Sequence, residues 1–261
     1  MPNCQGSNRR TLMKTRYILG LAVLSLAPLT HADVWTIRAD NWCPYNCEPK
    51  SAQPGYMIEI IQAAAKTAGH TVDYATTPWS RALSEARNGQ INGVVGMATG
   101  DREGMLVTDK LGVDTTCFFV NAGDSLKYSS PADLAKLQSV GTIQSYVYPD
   151  EFMNWQKSNP SKVQSAAGDN ALELNIKKLT GKRFQAFIEN ETVVNYLRKS
   201  QPALKDVVSA GCMESTDLFA GFGAKNPKSA DIVKAINAKT AEMKKSGELK
   251  KLLDKYGAKA W

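Results

Sequence analysis

The sequence has little histidine and no long apolar segment beyond its first 32 residues. Two of its 261 residues are histidine, His31 and His70. It contains neither a serine–histidine–aspartate set nor a cysteine and histidine cluster at metal-binding spacing, and it has no internal repeat and no low-complexity linker. These absences argue against a serine hydrolase, a resident metal and a membrane span, although a glutamate could still supply acid–base chemistry.

The first 32 residues have the features of a secretory signal peptide. Four basic residues precede an apolar run at 17–29, and Thr30 and Ala32 supply the small residues of a cleavage site. Met13 is an alternative start of translation. We therefore expect a mature periplasmic chain of residues 33–261. Loss of the four basic residues lowers the formal net charge from +7 to +3, so the basic composition is a poor argument for nucleic-acid binding.

Four cysteines follow the predicted signal peptide, and an even number in an exported protein favours disulfides. They are Cys43, Cys47, Cys117 and Cys212. Of the three possible pairings we prefer Cys43 with Cys47, which closes a small loop, and Cys117 with Cys212, which lie in or beside apolar strands. Structural zinc is the alternative, but a single histidine remains in the mature chain, so we expect no metal and no other cofactor.

Strands and helices alternate along the mature chain, which is typical of an α/β protein. Strands are expected at 35–39, 72–75, 91–97, 117–121, 139–143, 185–188 and 218–223. Helices are expected at 57–67, 79–88, 130–137, 150–157, 170–179, 191–199 and 229–256, the last broken at Gly247.

The strand at 91–97 ends in a small-residue loop with a hydroxyl and an arginine. Thr99 and Arg102 follow the strand closely. In open α/β sheets, ligands bind outside the carboxyl ends of strands, and a guanidinium offers a planar fork of donors to a carboxylate. The segment is therefore a candidate carboxylate site, and a solvated surface arginine is the alternative.

Four pieces of the chain, in order, resemble one family. They are DNWCPY and GYMIEI at 40–60, WSRA and GQING at 79–93, TGDR at 99–102, and GFGAK with MKKSGELKKLLDKYG at 221–257. Together they resemble the periplasmic solute-binding proteins of polar amino-acid ABC transporters, the bacterial extracellular solute-binding proteins of family 3. The resemblance extends over nearly the whole mature chain.

This resemblance implies a two-lobed fold of the type II periplasmic-binding-protein kind. Lobe 1 would contain residues 33–111 and 218–261, and lobe 2 would contain residues 112–217. Two hinge strands would join the lobes, and the ligand cleft would lie between them. The Cys117–Cys212 pair would then staple the base of lobe 2.

The resemblance also implies roles for individual residues. The family arginine that clamps the ligand carboxylate matches Arg102, with Thr99 as a helper. The first-loop aromatic matches Trp42, with Tyr45 beside it, and plain burial is the alternative for Trp42. The other candidates in the binding site are Met97, Trp79, Arg81, Ser145 and Tyr146. For Arg81, a surface pair with Glu85 is the alternative.

One position departs from the family pattern. Amino-acid binders place an aspartate after the strand predicted at 185–188, where it holds the ligand ammonium, and here Asn190 stands at that place. A neutral amide holds an ammonium less well than a carboxylate does. Either Glu189 takes over this role, or the ligand is not an ordinary α-amino acid.

We therefore expect a monomeric, non-enzymatic receptor. It would capture a small carboxylate-bearing solute, most simply a polar amino acid, for an ABC permease in the inner membrane. An enzyme on the same scaffold, such as a dehydratase, and a sensory ligand-binding protein are the alternatives.

Overall fold

The computed structural model describes residues 1–6 and 32–261. Residues 7–31 of the predicted signal peptide therefore lie outside the described residues. Ala32–Trp261 forms one compact unit. None of the helices in this described part is both long and apolar enough to cross a membrane.

Eleven strands form two sheets within the described residues. In chain order they are β1 (Val34–Ala39), β2 (Thr71–Thr76), β3 (Gly93–Met97), β4 (Met105–Val107), β5 (Gly112–Asp114), β6 (Thr116–Asn121), β7 (Val140–Ile143), β8 (Val163–Ala166), β9 (Ala186–Asn190), β10 (Val207–Cys212) and β11 (Thr216–Gly223).

The described residues also form seven α-helices. They are α1 (Tyr56–Thr67), α2 (Trp79–Arg87), α3 (Asp150–Ser158), α4 (Ala171–Thr180), α5 (Glu191–Leu197), α6 (Ser229–Ser246) and α7 (Glu248–Tyr256). The segment expected to be a helix at 130–137 is instead a 3₁₀ helix, Pro131–Lys136. The predicted break at Gly247 separates α6 from α7, and its φ of 78° is the left-handed conformation that glycine adopts most easily at a helix end.

The first sheet has the order β2–β1–β3–β11–β4, and β5 also pairs with β11. β1 runs parallel to both β2 and β3, whereas β11 is antiparallel to its neighbours. Val94 and Val95 are almost fully buried, as expected for a strand covered on both faces. Helices α1 and α6 pack on this sheet and enclose its core.

The second sheet has the order β10–β6–β9–β7–β8. β7 runs parallel to β8 and β9, whereas β6 is antiparallel to β9 and β10. The chain enters this sheet directly after β5 and leaves it between β10 and β11. These two crossing segments lie side by side, because β5 pairs with the beginning of β11. The mixed α/β architecture with two sheets agrees with the predicted fold class, and the lobe boundaries at 112 and 217 stay predictions.

Four strands that the sequence analysis did not predict are short, polar or interrupted by a register shift. They are β4, β5, β8 and β10. β8 carries two exposed polar residues and lies at the edge of its sheet, so it lacks the apolar pattern of a buried strand. β10 contains Gly211 and a register shift beside it, which interrupts the alternation that identifies a strand.

Candidate functional site

The carboxyl ends of parallel strands from both sheets meet around one cavity. β1 and β3 contribute from the first sheet, and the loop after β7 contributes from the second. The lining residues are Asp40, Trp42, Trp79, Gly96, Ala98, Asp101, Asp114, Tyr146, Val147 and Leu218. The cavity volume is about 30 Å³, which is room for about one or two water molecules.

Asp40 follows β1 and is bonded across the cavity. The Tyr146 hydroxyl, from the loop after β7, donates a hydrogen bond to Oδ2 of Asp40. Burial raises the pKa of Asp40 to about 6, although the Tyr146 bond opposes the rise. This hydrogen bond therefore joins a side chain that follows a strand of the first sheet to a side chain that follows a strand of the second sheet.

Trp42 and Glu189 form a second bond between the two sheets. Nε1 of Trp42 donates to Oε1 of Glu189 over 2.8 Å, and the backbone N–H of Asn190 donates to the same oxygen over 2.7 Å. Glu189 is 2% exposed, and its Oε2 has no hydrogen-bond partner. Burial raises the pKa of Glu189 to about 8, and the charges of Asp114 and Asp40 add to the rise.

Asn190 has its side chain fully engaged in structural contacts. Its Oδ1 accepts bonds from the backbone N–H groups of Thr192 and Val193 and so caps α5. Its Nδ2 donates to Oδ1 of Asp114 over 2.7 Å and to the Tyr45 hydroxyl over 3.1 Å. Both neighbours that the sequence could not separate contact a lining residue of the cavity, Glu189 through Trp42 and Asn190 through Asp114.

The cavity carries carboxylates without a matching positive charge. None of its ten lining residues is lysine, arginine or histidine. Burial raises the pKa of Asp114, opposed by hydrogen bonds from Asn190 and Thr116. Burial also raises the pKa of Asp101 to about 6, and here the charge of Arg87 opposes the rise. Asp40 and Asp114 therefore line the cavity without a basic partner, and their charges also act on the nearby Glu189.

Aromatic rings form the remaining walls. Trp42, Trp79 and Tyr146 line the cavity, and the rings of Trp42 and Tyr146 meet edge to face with centroids 6.4 Å apart. Tyr45 stacks beneath Trp42 at 4.4 Å and donates through its hydroxyl to the carbonyl of Val113. Such rings can contact either an apolar group or a cation.

Arg102, the predicted carboxylate anchor, lies outside the cavity lining. Its side chain is exposed, and its guanidinium carbon lies 4.2 Å from the centroid of the Phe219 ring. Thr99 is also exposed and lines a neighbouring surface groove with Pro149 and Glu214. The carboxylate-binding role of both residues stays a prediction.

The other predicted site residues divide between the cavity and its surroundings. Trp42, Trp79 and Tyr146 are brought together, whereas Met97 is fully buried in the core beside Trp79. Arg81 forms the surface alternative, a 2.7 Å ion pair with Glu85, and its side chain is 71% exposed. Ser145 is exposed in the turn after β7.

Three lining carboxylates were not predicted as site residues. They are Asp40, Asp101 and Asp114. Asp40 directly follows β1, so the strand-end argument that selected Arg102 applies to it equally. Asp114 ends a three-residue strand that the sequence pattern does not reveal.

The structure contains the disulfide pairing that we preferred. Cys43 is joined to Cys47, and Cys117 is joined to Cys212. The second bond links directly opposed residues of β6 and β10. Glu191 lies within 4.8 Å of both Cys117 and Cys212, but a disulfide leaves neither sulfur as a thiolate ligand for zinc.

Solved structures share the fold of this chain at low sequence identity. An ancestral arginine-binding protein bound to arginine is 20% identical, with a TM-score of 0.71 over 85% of this chain and 97% of that one. A protein of glutathione import from Streptococcus mutans is 16% identical, with a TM-score of 0.73 over 87% and 95%. A histidine kinase sensor domain with similarity to periplasmic binding proteins is 14% identical, with a TM-score of 0.72 over 85% and 95%.

These likenesses define the class of fold, which is that of the periplasmic binding proteins. The sequence profile of the bacterial extracellular solute-binding proteins, family 3, matches residues 36–259. The chain belongs to this family. A comparison with curated protein sequences gave no significant match.

Proposed function

We propose that this protein is a periplasmic receptor for a small solute with a positively charged group, such as a basic or zwitterionic amino acid. One observation carries the proposal: a cavity where strand ends of both sheets meet is lined by aromatic rings and carboxylates and by no basic side chain. Buried carboxylates without a counter-charge are costly, and a cationic solute supplies that charge.

Family membership and the known neighbours support this choice. The family binds solutes outside the cytoplasm, and one neighbour of the same fold is an arginine-binding protein. In this proposal the receptor is monomeric, and it delivers the solute to the permease of an ABC importer in the inner membrane. A carboxylate of the same solute would reach Arg102 at the edge of the cleft.

Ligand screening tests the proposal. Binding to the folded form alone raises its stability by about 2.7 kcal/mol at a ligand concentration of 100 times Kd. We expect basic or zwitterionic amino acids or amines to raise the melting temperature, and dicarboxylic acids to leave it unchanged. Stabilisation by dicarboxylic acids alone would contradict the proposal. Solute-dependent stimulation of a reconstituted permease and its ATPase would test the delivery step.

An enzyme on this scaffold is the second candidate. One structural neighbour is an ancestral amino-acid-binding protein described as a precursor of cyclohexadienyl dehydratase. The specific observation in its favour is the raised pKa of Glu189, because a carboxylic acid that stays protonated near neutral pH can serve as a general acid. Dehydration of a cyclohexadienyl substrate, lost in Glu189→Gln, would favour the enzyme over the receptor.

A further inference from the structure

The cavity between the two sheets is too small for the proposed solute. Its volume of about 30 Å³ holds about one or two water molecules, whereas an amino acid such as arginine is several times larger. A solute of this class therefore enters only when part of the cavity wall moves away. The contacts of the lining residues indicate which part moves.

The residues on the first-sheet side of the cavity are well supported. The carbonyl of Asp40 accepts a 2.7 Å hydrogen bond from Nδ2 of the buried Asn46. Trp42 exchanges two backbone hydrogen bonds with Asn46, and its ring stacks on Tyr45. Trp79 begins helix α2 and is 6% exposed. This side of the wall is therefore held in place by its own loop and helix.

Tyr146, on the second-sheet side, lies in a turn with weaker support. It follows Gln144 and Ser145, which are both exposed, and its backbone N–H donates to the carbonyl of Ile143 over 3.2 Å. Ser145 has a φ of 65°, a left-handed conformation that is unfavourable for a residue other than glycine. Because a rearrangement of the turn would relieve this strain, Tyr146 is the wall residue that can leave most easily.

The hydroxyl of Tyr146 already makes the contact that a cationic solute would make. A phenol hydroxyl has one proton to donate, and Oδ2 of Asp40 accepts it. While this bond is formed, the hydroxyl cannot donate to a solute. Asp40 has a pKa of about 6, raised by burial, so at pH 7.5 it is mostly a carboxylate. An ammonium or guanidinium forms a stronger, charge-assisted hydrogen bond to a carboxylate than a neutral hydroxyl does.

We infer that Tyr146 is an autoinhibitory side chain, which bonds to Asp40 in place of the solute and is displaced when a cationic solute binds. The inference rests on the proposed function and adds how that site is regulated. After displacement, the positive group of the solute bonds to Asp40, and the carboxylate of the same solute stays free to reach Arg102. A solute without a positive group cannot replace the hydroxyl, so the same contact excludes it.

Removal of one hydroxyl tests the inference. Tyr146→Phe keeps the ring beside Trp42 but removes the donor that competes with the solute. Titration calorimetry at pH 7.5 would measure the affinities of the wild type and the variant for arginine and for lysine. A closed state that cannot bind weakens the apparent affinity, so we expect Tyr146→Phe to bind both amino acids about tenfold more tightly, the scale of a hydrogen bond to a charged group.

Tyr128→Phe is the matched control. The Tyr128 hydroxyl donates to Oε1 of Glu151 over 2.9 Å, and neither residue is among the ten that line the cavity. The control therefore removes a tyrosine–carboxylate bond of the same kind outside the cavity, and it should leave both affinities unchanged. Circular dichroism spectra would establish that both variants are folded.

Nitration by tetranitromethane follows Tyr146 in the wild-type protein. The reagent attacks the phenolate form, and burial raises the pKa of Tyr146 well above its ordinary range, which makes nitration slow while the hydroxyl is buried. Displacement into water removes this penalty. Saturating arginine should therefore speed the nitration of Tyr146 several-fold, measured by peptide mapping, and leave the nitration rate of Tyr128 unchanged.

The outcomes distinguish the inference from the proposed function. If Tyr146→Phe binds arginine and lysine more weakly, or arginine protects Tyr146 from nitration, then Tyr146 binds the solute directly; the inference is wrong and the receptor function stands. Unchanged affinities would also overturn the inference. If the variant does not fold, the nitration rates decide, and a rate that arginine does not raise overturns the inference. If neither amino acid binds to the wild type or to the variant, the proposed function fails as well.

Discussion

The chain segments that follow β1 and β3 differ in how strongly water is excluded from their charges. We call Asp40 and Trp42, which follow β1, the buried end, together with Gly96 and Glu189, which contact Trp42, and Asn190, which is bonded to Glu189. We call Thr99 and Arg102, which follow β3, the exposed end. The two strands are parallel neighbours with β1 next to β3, so a rule based on strand ends alone treats both as equal candidates.

The difference teaches that desolvation, and not the type of charge, marks the candidate site. Arg102 is exposed, so water solvates its charge and an ion pair would add little stability there. Asp40 and its neighbour Glu189 have raised pKa values because burial penalises their charged forms. The buried end therefore has a reason to bind a proton or a cation that Thr99 and Arg102 lack. Asp101, which lies between those two residues, is buried and shares this reason through its raised pKa.

Titration of the buried end should produce the largest effect. Glu189 has a pKa of about 8 in the folded protein against 4.5 in its unperturbed state. Between these values the folded state holds one proton more than the unfolded state, so stability falls as pH rises from about 4.5 to 8. The loss is on the order of 3–5 kcal/mol. Asp40 adds to the loss in the same direction, between 3.8 and about 6.

Urea unfolding at several pH values measures this slope. Glu189→Gln should flatten the slope between pH 6 and 8, because it removes the group that titrates there. Glu173→Gln, an equal change at an exposed position, should keep it. The tyrosines that face Glu189, Tyr146 and Tyr148, have pKa values raised well above their ordinary range and do not titrate in this window. A wild-type stability that is constant from pH 5 to 8 would contradict the burial argument.

The second largest difference is expected when a carboxylate is added at each end. Asn190→Asp keeps a capping oxygen for α5, but it replaces the donor to Asp114 with a second charge beside it. We expect a loss of about 2–4 kcal/mol in the free energy of unfolding at pH 8, because an uncompensated buried charge is expensive. Thr99→Asp adds the same charge at the exposed end and should stay within about 0.5 kcal/mol of the wild type. Equal losses in urea unfolding would mean that the two ends do not differ in burial.

The strongly periodic and capped parts of the fold could be predicted from the sequence. Helix α1 has apolar residues at helical spacing, and Gly247 ends α6 as expected. The helix expected at 130–137 is a six-residue 3₁₀ helix, which begins at Pro131 and has one buried side chain, Leu134. β5 was missed because its three residues gain their strand pairing from β11, which is distant in sequence.

Only part of the candidate site could be predicted, because some of its contacts also join residues that are distant in sequence. Trp42, Trp79 and Tyr146 were chosen from the resemblance, and the structure gathers them around one cavity. Asp40 stood in the same quoted motif as Trp42 but carried no local signal of burial. Its environment depends on Tyr146, which is 106 positions away. Pairings over such distances cannot be read from local periodicity.

Glycine at the buried end offers a smaller test. Gly96 has a φ of 82°, and a Cβ there would lie 3.0 Å from Oδ1 of Asn46 and 3.3 Å from Cε3 of Trp42. Gly96→Ala should cost about 1–2 kcal/mol from the left-handed backbone alone and more if Trp42 cannot shift. Gly89→Ala is the matched control, because its φ is 75° and nothing lies within 4 Å of the added carbon. The difference between the unfolding free energies of the two variants measures how tightly Trp42 is held. Equal values would show that Trp42 can move away from the added carbon at no cost in stability.

The smallest effect is expected at the exposed end. Arg102→Ala removes an exposed guanidinium from the face of Phe219, which should lower the free energy of unfolding by about 0.5–1 kcal/mol, the scale of an exposed cation–π contact. Arg102→Lys keeps the charge but loses the flat stacking surface, so it should retain only part of this contribution. Calorimetry on the same variants decides the role that the sequence predicted. A loss of about 1.5–3 kcal/mol in arginine affinity, the scale of a charged hydrogen bond, would restore Arg102 as the carboxylate anchor. The exposed end would then be the half of the site that binds the negative group of the solute.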